Sequence, residues 1–120
     1  MTHYTAEAAM FKSLSEPVRL QILDLLADGE LCACDLLENL TISQPTLSHH
    51  MKALIGSGWV TARKEANWVF YAIDSGALDR MLCTMQDVTA PKTGTAGRVI
   101  RRSRTCCPLA RTHEELHHEA

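Results

Sequence analysis

The chain has 120 residues, of which 46% are hydrophobic and 22% charged, and a formal net charge of −2. This length and composition fit one globular domain with a sizeable core, and no apolar run approaches the ~20 residues of a membrane helix. The slightly acidic balance argues against an indiscriminate nucleic-acid binder, for which a strongly basic domain is expected.

The first third of the chain predicts three short helices. Residues 5–14 form an amphipathic segment, and a second helix begins after Ser15, which we expect to be its N-cap, with Pro17 in the first turn. Apolar residues at helical spacing give the second helix a buried face, and Gly29 is a natural stop. A third, short helix starts near Cys32.

The fourth predicted helix, over residues 44–56, has two distinct faces. Ser43 can cap it, with a proline in the first turn. The polar face includes His49 and Lys52, whereas His50 lies nearer the apolar face and is expected to be packed. A short helix, a tight turn and a polar-faced helix describe a helix-turn-helix. The expected core residues of this helix are Leu47, Met51, Leu54 and Ile55.

Two segments rich in Val, Thr and aromatic residues follow the fourth helix. W-V-T-A-R-K begins at Trp59 and W-V-F-Y-A-I at Trp68, with residues 65–67 between them, which predicts a β-hairpin. Ser75 is expected to cap a last helix in which Cys83 is buried. The apolar stripe of this helix comprises Leu78, Leu82, Met85 and Val88.

The order of these elements predicts a winged helix-turn-helix, a fold that is mainly α with a small β-hairpin. We assign residues 1–90 to this domain and residues 91–120 to a flexible basic C-terminal tail that carries Cys106 and Cys107. Between residues 92 and 111 the tail has six basic side chains and no acidic one. The net negative charge of the whole chain therefore coexists with a basic C-terminal segment.

The five cysteines are the chemically distinctive residues. The N-terminus lacks the basic and apolar regions of a signal peptide, so we expect a cytoplasmic protein, and a reducing cytoplasm disfavours structural disulfides. Metal binding, redox chemistry and burial remain open for these thiols. Cys32 and Cys34 raise a geometric question, because residues two apart on a regular helix point about 200° away from each other.

Three motifs resemble the ArsR/SmtB family of metal-sensing repressors, most closely its arsenical-resistance members. They are E-L-C-A-C-D-L at 30–36, S-Q-P-T-L-S-H-H-M-K at 43–52 and the following W-V-T-A-R-K, and the resemblance covers about residues 7–85. It implies a repressor rather than an enzyme, with no membrane partner and no cofactor required for DNA binding. It also implies a homodimer, built from the first and last helices, whose recognition helices enter a palindromic double-stranded operator about 34 Å apart.

The resemblance further implies which side chains face the operator. Helix residues can bond base edges or phosphates, and basic residues of helix and wing can contact phosphates. Ala66 stands at the wing tip where relatives often have glycine, so if this position requires positive φ, the turn is expected to differ from theirs. A protein-binding winged helix with a merely solvated polar face is the alternative. The predicted DNA-contacting residues are Ser43, Gln44, Thr46, Ser48, His49, Lys52, Arg63 and Lys64.

Aligned on the family pattern, Cys32 occupies the N-cap of the third helix and Cys34 lies two residues inside it. A cap residue has non-helical torsion angles, so the two thiols can converge, and a helix N-terminus favours the thiolate. In arsenical-sensing relatives this pair binds trivalent arsenic or antimony with a third cysteine one turn later, where this chain has Leu37. We therefore expect As(III) or Sb(III) as inducer, at a two-thiolate site or with a third ligand from Cys106 or Cys107.

Several alternatives compete with this prediction. Sulfur ligands do not distinguish arsenic from cadmium, lead or zinc, and thiol pairs can also respond to oxidants or bind metal in a protein without a DNA partner. The zinc site that other family members place between their C-terminal helices has no match here, because Asp79 is followed by Arg80 and Met81. H-E-E-L-H at 113–117 matches a zinc-peptidase motif, but its place near the C-terminus after a basic linker indicates a solvated end.

Overall fold

The structure, a computed structural model, describes residues 4–91. The predicted class, mainly α with a winged helix-turn-helix, is confirmed. Cys106, Cys107 and the motif at 113–117 lie outside the described residues. Within residues 4–91, no helix is long and apolar enough to cross a membrane. In chain order the elements are α1 (Thr5–Ser13), α2 (Pro17–Leu26), β1 (Leu31–Cys32), α3 (Ala33–Glu38), α4 (Gln44–Ser57), β2 (Val60–Glu65), β3 (Trp68–Ile73) and α5 (Ala77–Thr89).

The wing is a three-stranded antiparallel sheet rather than a hairpin alone. Its strand order is β1-β3-β2, and β1 pairs with β3 through Leu31 opposite Tyr71 and Cys32 opposite Phe70. A strand of two residues has no alternating pattern, so the sequence did not predict it. Its presence makes Cys32 both the end of a strand and the cap of a helix.

The core lies between the helices and is centred on α4. Ile22 of α2, Leu36 of α3 and Leu54 of α4 are completely buried, and Leu47 and Met51 are nearly so. The prediction that Ile55 is also buried is wrong, since 39% of this residue is exposed. Ile55 follows Leu54 and points about 100° further round the helix, beyond the buried stripe.

The segment between α4 and β2 is anchored to α1. Gly58 ends α4 in a left-handed conformation with φ of 95°, which glycine adopts at low cost. Trp59 is buried, and its indole Nε1 donates a hydrogen bond to the Met10 carbonyl at 2.8 Å. Trp59 therefore belongs to the core, and β2 begins one residue later than predicted.

Two predicted helix caps are wrong. Glu16, not Ser15, is the N-cap of α2, and its extended backbone follows from Pro17, because proline disfavours helical torsion angles in the preceding residue. The Ser15 hydroxyl instead donates to the carbonyl of Lys12. Before α5, the Asp74 carboxylate rather than Ser75 accepts a hydrogen bond from the backbone, at the N–H of Gly76.

The last helix contacts the rest of the domain along a narrow line. Ala77 and Met81, one turn apart, are its buried residues. Cys83 is exposed, contrary to prediction, because it lies off this line. The predicted apolar stripe of Leu78, Leu82, Met85 and Val88 is 44–58% exposed.

Candidate DNA interface and thiol site

The outward face of α4 carries the predicted DNA-contacting residues of the helix-turn-helix. All six, from Ser43 to Lys52, are exposed. The Ser43 hydroxyl oxygen accepts a hydrogen bond from the Thr46 backbone N–H, so the predicted cap is confirmed. It also donates to the Thr46 hydroxyl oxygen at 2.9 Å. The structure thus places all six predicted side chains at the N-terminus and on the exposed face of α4.

His50 holds the opposite face of α4 against α2. It is 6% exposed, and its Nδ1 accepts a hydrogen bond from Arg19 Nε at 3.1 Å. Burial, followed by the nearby Arg19 charge, lowers the pKa of His50, while Glu16 at 3.6 Å acts in the opposite direction. A packed histidine was predicted here, and the packing is confirmed.

The two basic wing residues have different surroundings. Arg63 Nε and a terminal nitrogen donate to the two carboxylate oxygens of Glu30, at 3.0 and 2.7 Å. Its other terminal nitrogen donates to Glu65 at 2.7 Å, and its guanidinium lies 4.8 Å from the centre of the Phe70 ring. Lys64 is exposed and has no ion-pair partner within residues 4–91. Of the two predicted wing contacts, Lys64 is the one whose charge faces solvent without an ion-pair partner.

The turn at the wing tip is strained. Glu65 and Trp68 face each other at the ends of β2 and β3, which leaves Ala66 and Asn67 as the two turn residues. Ala66 has φ of 55°, a conformation that costs a residue with a Cβ about 1 kcal/mol. The positive φ considered from the sequence is therefore present, with alanine adopting it.

Cys32 caps α3, as the family pattern implied. Its backbone is extended, with φ of −85° and ψ of 167°. Its Sγ donates to Asp35 Oδ2 at 3.2 Å, and its backbone N–H donates to the same oxygen at 3.3 Å. Asp35 was not predicted to contribute, although an acid three residues after the cap is the spacing of a capping box.

Cys34 lines a cavity of about 280 Å³ between α3, α4 and the wing. Trp68 and Tyr71 of β3 form its aromatic side, and Gln44 and Ser48 of α4 also line it. Cys32 does not line this cavity, so the two thiols have different surroundings. The cavity places Cys34 beside two predicted DNA-contacting residues, a proximity that the sequence did not reveal because it depends on the path of the wing.

The thiols do not form a complete local metal site. Across the described part of the chain, no group of three His, Cys, Asp or Glu side chains could hold a metal ion. Leu37, at the position of the third family cysteine, is half-buried and packs against the core. Within one described chain, the position of the third family cysteine therefore offers no ligand.

Comparisons with known proteins agree with this architecture. The profile of a family described as "Bacterial regulatory protein, arsR family" matches residues 16–62. The "Arsenical resistance operon repressor" of Staphylococcus xylosus is 46% identical over 93 residues, which cover 78% of this chain and 89% of the relative. The chain belongs to the arsR family. A repressor of the same description from Staphylococcus aureus is 51% identical over 79 residues, covering 66% of this chain and 76% of the relative.

The solved structures give the same result for the fold. HlyU from Vibrio cholerae is similar with a TM-score of 0.60 and 33% identity, over 74% of this chain and 98% of that one. Membership of the arsR family and the relatives' descriptions make this chain a DNA-binding transcriptional repressor and not an enzyme. The predictions of family, DNA partner and non-enzymatic role are therefore confirmed.

Proposed function

We propose that this arsR-family repressor binds a palindromic operator as a homodimer and releases it when trivalent arsenic or antimony binds Cys32 and Cys34. The observation that carries the proposal is the position of Cys34, in one cavity with Gln44 and Ser48 of the DNA-facing helix. A ligand bound to this thiol would change the surroundings of the residues that meet the operator.

The apolar face of α5 supports the homodimer. Its four stripe residues, at helical spacing, expose 44–58% of their surface, and Tyr4 and Phe11 at the N-terminal end of the domain are also exposed. Contiguous exposed apolar patches of this kind mark association surfaces. A two-fold dimer would repeat the polar face of α4 at the spacing of successive major grooves.

The donor set suits a soft, three-coordinate ligand. Thiolates bind soft ions, and each S–As bond with arsenious acid forms as a hydroxyl group leaves with the thiol proton as water. Cys32 and Cys34 supply two bonds, and Cys106 or Cys107, outside the described residues, would supply the third. Binding at Cys32 would replace the hydrogen bond from its Sγ to Asp35 and so alter the start of α3.

The free energy required for release is modest. A hundredfold loss of operator affinity corresponds to about 2.7 kcal/mol of coupling. Loss of a helix cap contributes typically ~1 kcal/mol, so a disturbed cap at Cys32 alone is too weak. Contact between the bound metalloid and the cavity beneath Gln44 and Ser48 is a second contribution that would supply the remainder.

Fluorescence anisotropy with a labelled palindromic operator, selected from random duplexes, tests the proposal. We expect arsenite to release the wild-type protein at least tenfold more readily than a Cys32→Ser, Cys34→Ser double variant. Cys83→Ser is the matched control, since it removes an exposed thiol from α5 and should respond as wild type. A double variant that still leaves the operator on addition of arsenite contradicts the proposed site.

The same measurement identifies the inducer. Antimonite, cadmium, lead, zinc and peroxide are compared with arsenite at equal free concentration. The proposal predicts the largest response to the trivalent metalloids. A larger response to cadmium, lead or zinc would assign the site to divalent metals, and a response to peroxide alone would assign it to thiol oxidation.

A further inference from the structure

Cys32, Phe70 and Arg63 lie in one row across the sheet. Cys32 of β1 is directly opposite Phe70 of β3, and Phe70 is directly opposite Arg63 of β2. Residues directly opposite each other in an antiparallel sheet project from the same face. The thiol at one edge of the sheet and the guanidinium at the other are therefore lateral neighbours of the same aromatic ring.

A second connection runs through Glu30, two residues before Cys32. Its carboxylate binds Arg63 with two hydrogen bonds at 3.0 and 2.7 Å, the paired geometry in which arginine and carboxylate interact most strongly. Glu30 thus joins the wing to the segment that ends in the capping thiol.

The side chain of Arg63 is half exposed, but its hydrogen-bond donors are already engaged. Each of its three nitrogens donates to Glu30 or Glu65, and its face lies over Phe70. A phosphate approaching Arg63 would also approach two carboxylates of the same sign as itself. Lys64, the next residue, is exposed on the opposite side of β2, away from Glu30 and Glu65.

We propose that Arg63 is a positioning residue that ties the wing to the segment 30–32, and that Lys64 makes the wing's phosphate contact. One part of this proposal rests on the proposed function: the contact between Arg63 and Glu30 would transmit the effect of inducer binding at Cys32 to the wing. Inducer binding then reaches DNA by two routes, from Cys34 to α4 through the cavity and from Cys32 to the wing across the sheet.

The salt dependence of operator binding tests the role of Arg63. Each lost phosphate contact reduces the slope of log K against log salt by about one. Lys64→Gln should reduce the slope by about one per subunit. An Arg63→Gln, Glu65→Gln double variant, which keeps the net charge but releases the wing from Glu30, should weaken operator binding while losing less slope than Lys64→Gln. A double variant that loses as much slope as Lys64→Gln overturns the proposal and makes Arg63 a phosphate contact.

The effect of arsenite on operator affinity tests whether the contact between Glu30 and Arg63 transmits inducer binding to the wing. Glu30→Gln and Glu65→Gln each remove one carboxylate charge from Arg63, but only Glu30 lies outside the hairpin. We expect Glu30→Gln to reduce the ratio of operator Kd values with and without arsenite about threefold, and Glu65→Gln to leave it unchanged. If the two variants have equal effects, or no effect, the proposed transmission through Glu30 and Arg63 is wrong.

Arsenite binding is followed separately, by the ultraviolet absorbance of the thiolate–arsenic bond. It should be equal in both variants, so that a changed response reports transmission rather than binding. If wild-type protein binds arsenite but keeps its operator, the proposed function and the transmission both fail. The salt comparison, which uses no inducer, still decides whether Arg63 is a positioning residue.

Discussion

The DNA-facing helix and the thiol-bearing segment differ in how firmly the domain holds them. The 14-residue α4 is fixed by three fully or nearly fully buried apolar side chains and by the hydrogen bond between His50 and Arg19. The six-residue α3 has one buried residue, Leu36, and an exposed cap built from Cys32 and Asp35. The proposed DNA-contacting surface therefore lies on a helix that the core holds firmly, whereas the proposed inducer site lies on a segment with fewer buried contacts.

The largest expected effect comes from the buried side of α4. Leu54→Ala should lower the free energy of unfolding by about 2–5 kcal/mol, because it removes a fully buried side chain and leaves a cavity. Chemical denaturation measures this loss. Ile55→Ala, at the next and partly exposed position, is the control and should cost less than half as much. Similar losses at both positions would contradict the rigid attachment of α4 through Leu54.

The contact between His50 and α2 predicts a pH dependence. Because burial lowers the pKa of His50 in the folded protein, the unfolded chain takes up the proton more readily. The contribution of His50 to the free energy of unfolding should therefore be complete above the ordinary histidine pKa of about 6.5 and should decrease as the pH falls below it. Thermal unfolding between pH 5 and 8 should show a flatter profile for His50→Gln than for the wild-type protein.

A smaller effect is expected at the thiol-bearing segment. Asp35→Ala removes the acceptor of both Cys32 hydrogen bonds and should lower the free energy of unfolding by about 1 kcal/mol. Operator affinity without inducer should stay within about twofold of wild type, since the α4 contacts remain. Glu38→Ala, an exposed acid at the other end of α3, is the control. A large loss of operator affinity in Asp35→Ala alone would show that the two regions are not separable.

The smallest effect concerns the wing tip. Ala66→Gly should raise the free energy of unfolding by about 0.5 kcal/mol, because glycine adopts positive φ without strain but loses more chain entropy. Gly58→Ala is the reverse test, at φ of 95°, and should be destabilising. Urea denaturation measures whether each variant has a higher or a lower free energy of unfolding than the wild-type protein. Destabilisation by Ala66→Gly would mean that the wing turn has a different conformation from the one described.

The sequence predicted α4 and its polar face well because several local signals coincide there. Ser43 is a strong cap, proline stands in the first turn, and the apolar spacing is helical. The cap at Cys32 followed from the family pattern. DNA-contacting roles for individual side chains, and the thiol site itself, remain predictions.

The failures arise where the outcome depends on a neighbour distant in sequence. Strand β1 exists only because β3 lies beside it, and Cys83 is exposed because α5 contacts the domain along one line. The sequence likewise could not show that Glu30 and Arg63, which are 33 residues apart, bind each other. The N-cap of α2 was predictable in principle, because Pro17 restricts the residue before it.

The two tryptophans of the domain give it a built-in optical reporter. Trp59 is 6% exposed and bonded to the α1 backbone, whereas Trp68 is 55% exposed and lines the cavity beside Cys34. Acrylamide would quench the emission of Trp68 selectively, and a heavy atom bound at Cys34 would do the same. Steady-state fluorescence can therefore follow occupation of the cavity in unlabelled protein, with the signal of Trp59 as an internal reference.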